Sequence, residues 1–309
     1  MPETYQYEIS YGKVAVPVYR AYAAPLTGLA PLPESNFTGR TNNLFALEVD
    51  VEVFGDNFLP AYTEGDNSNI VATDSMKNFI LRQSLAYDGA TLEGLLHRLG
   101  TQFLLAYAQM HTLRLSGREL AFTPAQVARV AGFGASDVLL NRSHDDYATA
   151  WIDFTRANDS VVLSNHHCGR VNMQLLKITG SAFTKFVRDG YTTLPERGDR
   201  PLFIALDVFW RYTNVADMLA AGPGYIAAEQ VRDVIASVFD GFVSESIQHL
   251  VHEMGMRLLA RFPQMAEVSF DAQNRTRDPV AASETDPRVR VYSDPFSAYG
   301  SIRLTMRRG

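Results

Sequence analysis

Apolar and acidic positions alternate from Phe45 to Val53. Phe45, Leu47, Val49, Val51 and Val53 fall on one face, and Glu48, Asp50 and Glu52 on the other. That period of two predicts a half-buried strand. Val14, Val16 and Val18 repeat the alternation nearer the start, where Pro17 removes a backbone donor and favours an edge or a bulge. Further strands are predicted over 148–154, over 205–210 and around 301–306. Elsewhere the period lengthens to that of a helix. After the turn-like Asp88-Gly89-Ala90-Thr91, with Thr91 placed to cap, Leu92, Leu95, Leu96, Leu99 and Phe103 line one face. A long helical region is predicted from about Tyr225 to Arg261. Its stripe of Val231, Val234, Ile235 and Val238 gives way after Gly241 to Val243, Ile247, Leu250, Met254 and Leu258. Strands, helix and strands, then the same again, predict two similar α+β halves. The polar stretch Asn141 to Asp146 sets their division at 1–144 and 145–309, and the segment Gln273 to Pro287 reads as an exposed loop.

Composition narrows the chemistry. At 309 residues, 46% of them hydrophobic, the chain can bury a sizeable core. A net charge of -6 with no Lys/Arg-rich run offers no footprint for a phosphate backbone, so nucleic acid is not an expected partner. The single cysteine, Cys168, excludes an intramolecular disulfide framework and a Cys-based zinc site, which suits a reducing compartment. The first residues lack the pattern of a secretory signal. No 18-residue apolar run is present to span a membrane, and Met306-Arg307-Arg308-Gly309 is not a peroxisomal address. The expectation is a cytoplasmic, bacterial protein with no membrane partner.

Several metal-like or nucleotide-like patterns do not carry weight. His249 and His252 sit three apart on a helix rather than in the His-Glu-x-x-His order of zincins. His166, His167 and Cys168 are adjacent, and neighbours on a strand point to opposite faces. Gly132-Phe133-Gly134 and Gly222-Pro223-Gly224 lack the third glycine of a dinucleotide fingerprint.

Three separated runs carry more. One is Val71-Ala72-Thr73-Asp74-Ser75-Met76-Lys77-Asn78, and a second is Tyr11-Gly12-Lys13. The third runs from Phe183-Thr184-Lys185-Phe186 through Arg188-Asp189 and Tyr191-Thr192-Thr193-Leu194 to Asp199-Arg200. With Gln248 and Asn274 they resemble the urate oxidase (uricase) family from about residue 11 to the last strand. Singly, each residue has a plain structural reading: Lys13 a solvated lysine, Thr73 and Asp74 a turn or cap, Arg200 a surface ion-pair partner, Gln248 a polar-face residue, Phe183 core packing. Their joint order and spacing make the resemblance.

These residue types suit a flat, anionic purine. A guanidinium such as Arg200 and an amide such as Gln248 each make paired hydrogen bonds to its edge, Phe183 stacks on its face, and Leu194 and Ile247 line the pocket. The resemblance implies that Lys13 and Thr73 form a proton relay, that Thr73 and Asp74 also contact urate, and that Asn274 lies where oxygen and water bind. Thr276 stands where the family carries a histidine; a threonine passes a proton but holds no positive charge. The implied fold is a tandem tunnelling fold (T-fold), with antiparallel sheets carrying helices on one face and assembling into a barrel-like homotetramer. Its sites would lie between subunits, with Lys13 and Thr73 from one chain and Phe183, Arg200 and Gln248 from its neighbour. The implied chemistry is an oxidoreductase reaction of urate with O2 that needs no cofactor and no metal. Two alternatives remain: an inactive purine-binding homologue, suggested by Thr276, and a pterin-handling T-fold enzyme, against which the lone cysteine and the Arg/Gln pair argue.

Overall fold

A computed structural model describes residues 5–142, 144–158, 160–275, 277–293 and 297–309. The chain forms two compact units. The first comprises Met1–Ala30, Thr38–Cys168 and Asn214–Tyr225; the second comprises Pro31–Phe37, Gly169–Thr213 and Ile226–Gly309.

In the first unit β1 (Ser10–Ala21) pairs with β2 (Leu44–Phe54), followed by α1 (Leu59–Thr63), α2 (Thr73–Leu85) and α3 (Leu92–Ala106). Strand β3 (Thr112–Glu119), the hairpin β4 (Phe122–Arg129) and β5 (Gly132–Arg142), and β6 (Tyr147–Ala157) follow, and then β7 (Ser160–Lys177) begins. The strand order is β1-β2-β3-β6-β7. The sheet is antiparallel from β1 to β6. Val49, Val51 and Val53 are fully buried, as are Leu113 and Leu115 of β3 and Leu96, Leu99 and Phe103 of α3. The predicted alternation therefore has its cause in a helix laid on one face of the sheet. At Gly100 a Cβ would stand 2.2 Å from the Phe154 ring, so α3 approaches the sheet where it has no side chain.

The second unit repeats the plan. After β7 come β8 (Leu202–Tyr212), α4 (Ala216–Leu219, which belongs to the first unit), α5 (Ala228–Gly241) and α6 (Ile247–Arg261). Strand β9 (Met265–Asn274), the hairpin β10 (Pro279–Ala282) and β11 (Arg290–Tyr292), and β12 (Gly300–Arg307) complete it, in the order β7-β8-β9-β12. Both units thus run strand, strand, helices ending in a long pair (α2 and α3, α5 and α6), strand, hairpin, strand. Helix α6 packs on β9 and β12, and its Arg257 and Arg261 hold Glu34 of the segment 31–37 at 2.9 and 2.8 Å.

Several expectations change. Val14 is exposed although Val16 and Val18 are buried, because the register shifts between Lys13 and Val16 and sets Val14 and Ala15 against Asp50. Ala15 takes φ +55°, a left-handed conformation that costs an alanine about 1 kcal/mol. The region 225–261 is two helices. They part at 242–246, where the Ala182 N–H donates to the Ser244 carbonyl at 2.8 Å. Part of the loop expected over 273–287 is ordered as β10, which pairs with β11. The stretch 141–146 joins β5 to β6 inside the first unit, and the division along the strand run falls between Cys168 and Gly169, within β7.

Candidate active site

In the first unit, Lys13 is the last residue of β1 in regular register before the bulge, paired with Val51. A Cβ on Gly12 would lie 1.8 Å from the Val51 carbonyl oxygen, so glycine is the residue that lets β1 close on β2 here. Two residues before Lys13, and hence on the same face of the strand, the Tyr11 hydroxyl accepts the Val71 N–H at 3.2 Å. That bond ties β1 to the approach to α2, whose first residues are Thr73 and Asp74. The Asp74 carboxylate accepts from Lys77 Nζ at 2.7 Å and from Asn78 Nδ2 at 3.0 Å. Lys77 holds its pKa below the usual carboxylate value, and Lys13 contributes to the same shift. Ala72, before the helix, provides no side-chain cap, and Thr73 is exposed. Lys13, Thr73 and Asp74 are therefore brought to one place, at the start of α2 beside the bulge.

The second unit gathers Phe183, Arg200, Ile247 and Gln248. Residues 181–183 form the middle rung of a small ladder. On one side Phe183 and Arg197 exchange backbone hydrogen bonds of 2.8 and 3.0 Å, and the Arg200 N–H donates to the Ser181 carbonyl at 2.8 Å. On the other side Ser181 bridges to Ser244, two residues before the Ser246 hydroxyl that caps α6 by accepting the His249 N–H at 3.1 Å. Ile247 and Gln248 open that helix; Ile247 is buried and Gln248 exposed. Asp199 fixes the entry to the rung by accepting the Thr179 hydroxyl at 2.8 Å and the Gly180 N–H at 2.7 Å.

Within this ladder the Arg200 guanidinium sits 5.3 Å from the centroid of Phe183, whose ring also stacks on Phe186 at 4.9 Å. Arg200 Nε is buried with no hydrogen-bond partner among the described residues. Burial, and then the positive charge of Arg197, lower the Arg200 pKa below its ordinary value. An arginine remains charged at neutral pH all the same, so the arrangement favours an anion with acceptor atoms. A cavity of about 40 Å³ is lined by Leu194, Arg200, Phe203, Asn274 and Arg277 among others, and Asn274 Oδ1 is a second buried atom with no partner among the described residues. Leu194, Arg200 and Asn274 thus border one space. It is far smaller than the roughly 300 Å³ or more of a typical ligand pocket.

Thr276 lies outside the described residues. Sequence reasoning gave no role to Tyr11, the buried pair Ser181 and Ser244, Arg197 or the acceptor side of Asp199, which hold other residues in place, and Arg197 and Asp199 also line the cavity. Tyr11 and Asp199 lie inside the quoted runs; the serines carried no signal. Of the set-aside histidines, His249 packs edge-on against Phe242 at 4.7 Å, His252 lies 3.4 Å from Glu253, and His167 packs against Trp151.

Comparisons with known proteins point to one family. The family model described as Uricase matches residues 166–303. A uricase of Haloferax volcanii is 45% identical over 97% of this chain and 98% of its own length. The uric acid degradation bifunctional protein PucL of Bacillus subtilis is 40% identical over 97% of this chain, which spans 61% of that longer protein. Among solved structures, urate oxidase from Bacillus sp. TB-90 superposes with a TM-score of 0.94 at 40% identity, covering 97% of this chain and all of that one.

Proposed function

The chain belongs to the uricase family, and from that premise we propose that it oxidises urate with O2 and water to 5-hydroxyisourate and hydrogen peroxide, with no metal or organic cofactor. The observation that carries the assignment of residues is the ladder through 181–183, which gathers Phe183, Arg200 and the start of α6 and leaves a buried guanidinium nitrogen without a partner among the described residues. In this reading Arg200 and Gln248 grip the purine edge and Arg200 offsets its charge. Phe183 packs on the ring, while Leu194, Ile247 and Asn274 border the pocket. Lys13 and Thr73 relay a proton, with Thr73 and Asp74 also touching urate and Thr276 as the relay's third member. The small cavity of about 40 Å³ in the second unit favours a site completed by another copy, in a homotetramer.

The test is the decay of urate absorbance in air with purified, metal-stripped protein, with peroxide assayed in parallel. Urate loss with matching peroxide is the expected result. Saturable urate binding without turnover would replace the reading by an inactive purine-binding homologue, and absence of binding would remove urate as the ligand.

A further inference from the structure

Asp50 lies on the polar face of β2, where an acidic side chain reads as solvated. In the folded chain its Oδ1 accepts the Ala15 N–H at 2.6 Å. Ala15 is the residue with φ +55° inside the bulge, and Lys13 is the last regularly paired residue before it. We infer that Asp50 is a positioning residue for the relay: its carboxylate pins the bulge that presents Lys13 toward the start of α2. The inference rests on the reading of Lys13 as a relay residue.

The device occurs twice. In the second unit Asn172 takes φ +61°, and its N–H donates to Asp207 Oδ1 at 2.6 Å. Gly169 precedes it as Gly12 precedes Ala15: added Cβ atoms would meet Val208 O at 3.1 Å and Val51 O at 1.8 Å, each carbonyl belonging to the residue after the clamping aspartate. Gly12-Lys13-Val14-Ala15 thus corresponds to Gly169-Arg170-Val171-Asn172. Helix α2 opens with Thr73-Asp74 after Val71-Ala72, and α5 opens with Ala228-Glu229 after Ile226-Ala227. In the second copy Lys13 is therefore replaced by the buried Arg170, and Thr73 by an alanine without a hydroxyl. The same clamp serves the fold in both units, and in the first alone it carries a lysine beside a threonine.

That pairing supplies an internal control. Asp50→Ala, Asp50→Asn, Asp207→Ala and Lys13→Met are compared for kcat, KM for urate and Tm. A bulge relaxed by an ångström or so is expected to lower kcat by about tenfold or more in Asp50→Ala, with KM changed by no more than about threefold. Asp50→Asn, whose amide oxygen still accepts the N–H, recovers most of the turnover. Asp207→Ala loses a comparable amount of Tm and keeps its kcat. Equal loss of kcat in the two alanine variants, or none in Asp50→Ala, overturns the inference. A Lys13→Met protein with undiminished turnover instead overturns the relay on which it rests. If the alanine variants do not fold, Asp50→Ser and Asp207→Ser, whose side chains are too short to reach the bulge, are read in the same way.

Discussion

Glu93 and Gln248 occupy the same place in their helices, each second after a hydroxyl cap: the Thr91 side chain accepts the Gly94 N–H as Ser246 accepts that of His249. Their surroundings separate them. Gln248 is exposed, whereas Glu93 is 4% exposed and accepts the Tyr225 hydroxyl at 2.9 Å. Burial pushes the Glu93 carboxyl from 4.5 up to about 7, against the opposing pull of Tyr225 and Cys168. A carboxyl raised on folding is neutral in both states at low pH and ionised in both at high pH, with the folded form penalised there. Stability is therefore lost as pH rises from about 4.5 to about 7, by roughly 3 kcal/mol at this one site. Glu93→Gln removes the ionisation, so its Tm relative to the parent is expected to climb between pH 5 and pH 8; parallel Tm curves would show that Glu93 does not titrate in this window. At Arg200 the expectation is kinetic. Hydrogen bonds to a charged group contribute about 1.5–3 kcal/mol, so Arg200→Ala should raise KM for urate roughly 10- to 100-fold and disturb folding little. Steady-state rates against urate concentration decide this, and an unchanged KM would take Arg200 out of the binding site.

Elements differ in how plainly the sequence announces them, and the difference follows from their surroundings. Strand β2 has a fully buried face and a half-buried one, so its side chains alternate and the strand is legible. Strand β7 is not. It passes from one unit to the other, and Cys168, Gly169, Arg170 and Val171 are buried in succession, which erases a period of two. Helix α2 escapes notice because it buries only Met76, Ile80 and Ser84, and the residues of β10 are all exposed. The candidate site was legible where it lies in contiguous runs, as at 71–78 and 183–200. It was illegible where a residue acts through backbone, as with Asp50 and Ser244, since an acid on a polar face or a serine between helices has no distinguishing pattern. The cap of α6 lies between these cases. The Ser246 hydroxyl holds the helix start that carries Ile247 and Gln248, and losing such a cap costs about 1 kcal/mol. Ser246→Ala is thus expected to lower Tm by roughly 2–4 °C and to raise KM more than it lowers kcat. A fall in kcat alone would separate the start of α6 from substrate binding.

At the scale of the whole molecule, the repeated order of strands, helices and hairpin leaves two sets of corresponding positions, and the predicted residues divide between them. Lys13 and Thr73 stand in the first unit, and Phe183, Arg200 and Gln248 in the second. If the site joins the first unit of one subunit to the second unit of another, two defects in different chains can be sorted into different sites. Lys13→Met and Arg200→Ala homomers should each be nearly inactive at low urate concentration. Co-expressed with distinct tags and purified through both, they form mixed assemblies. A site that draws its lysine from an Arg200→Ala chain and its arginine from a Lys13→Met chain is intact, and random assortment makes roughly a quarter of the sites so. Activity near that fraction of the parent is the expected outcome, read against each homomer alone. Mixed assemblies no more active than the homomers would mean that lysine and arginine serve from the same chain, and the proposal of a shared site would fall even if urate oxidation itself stood.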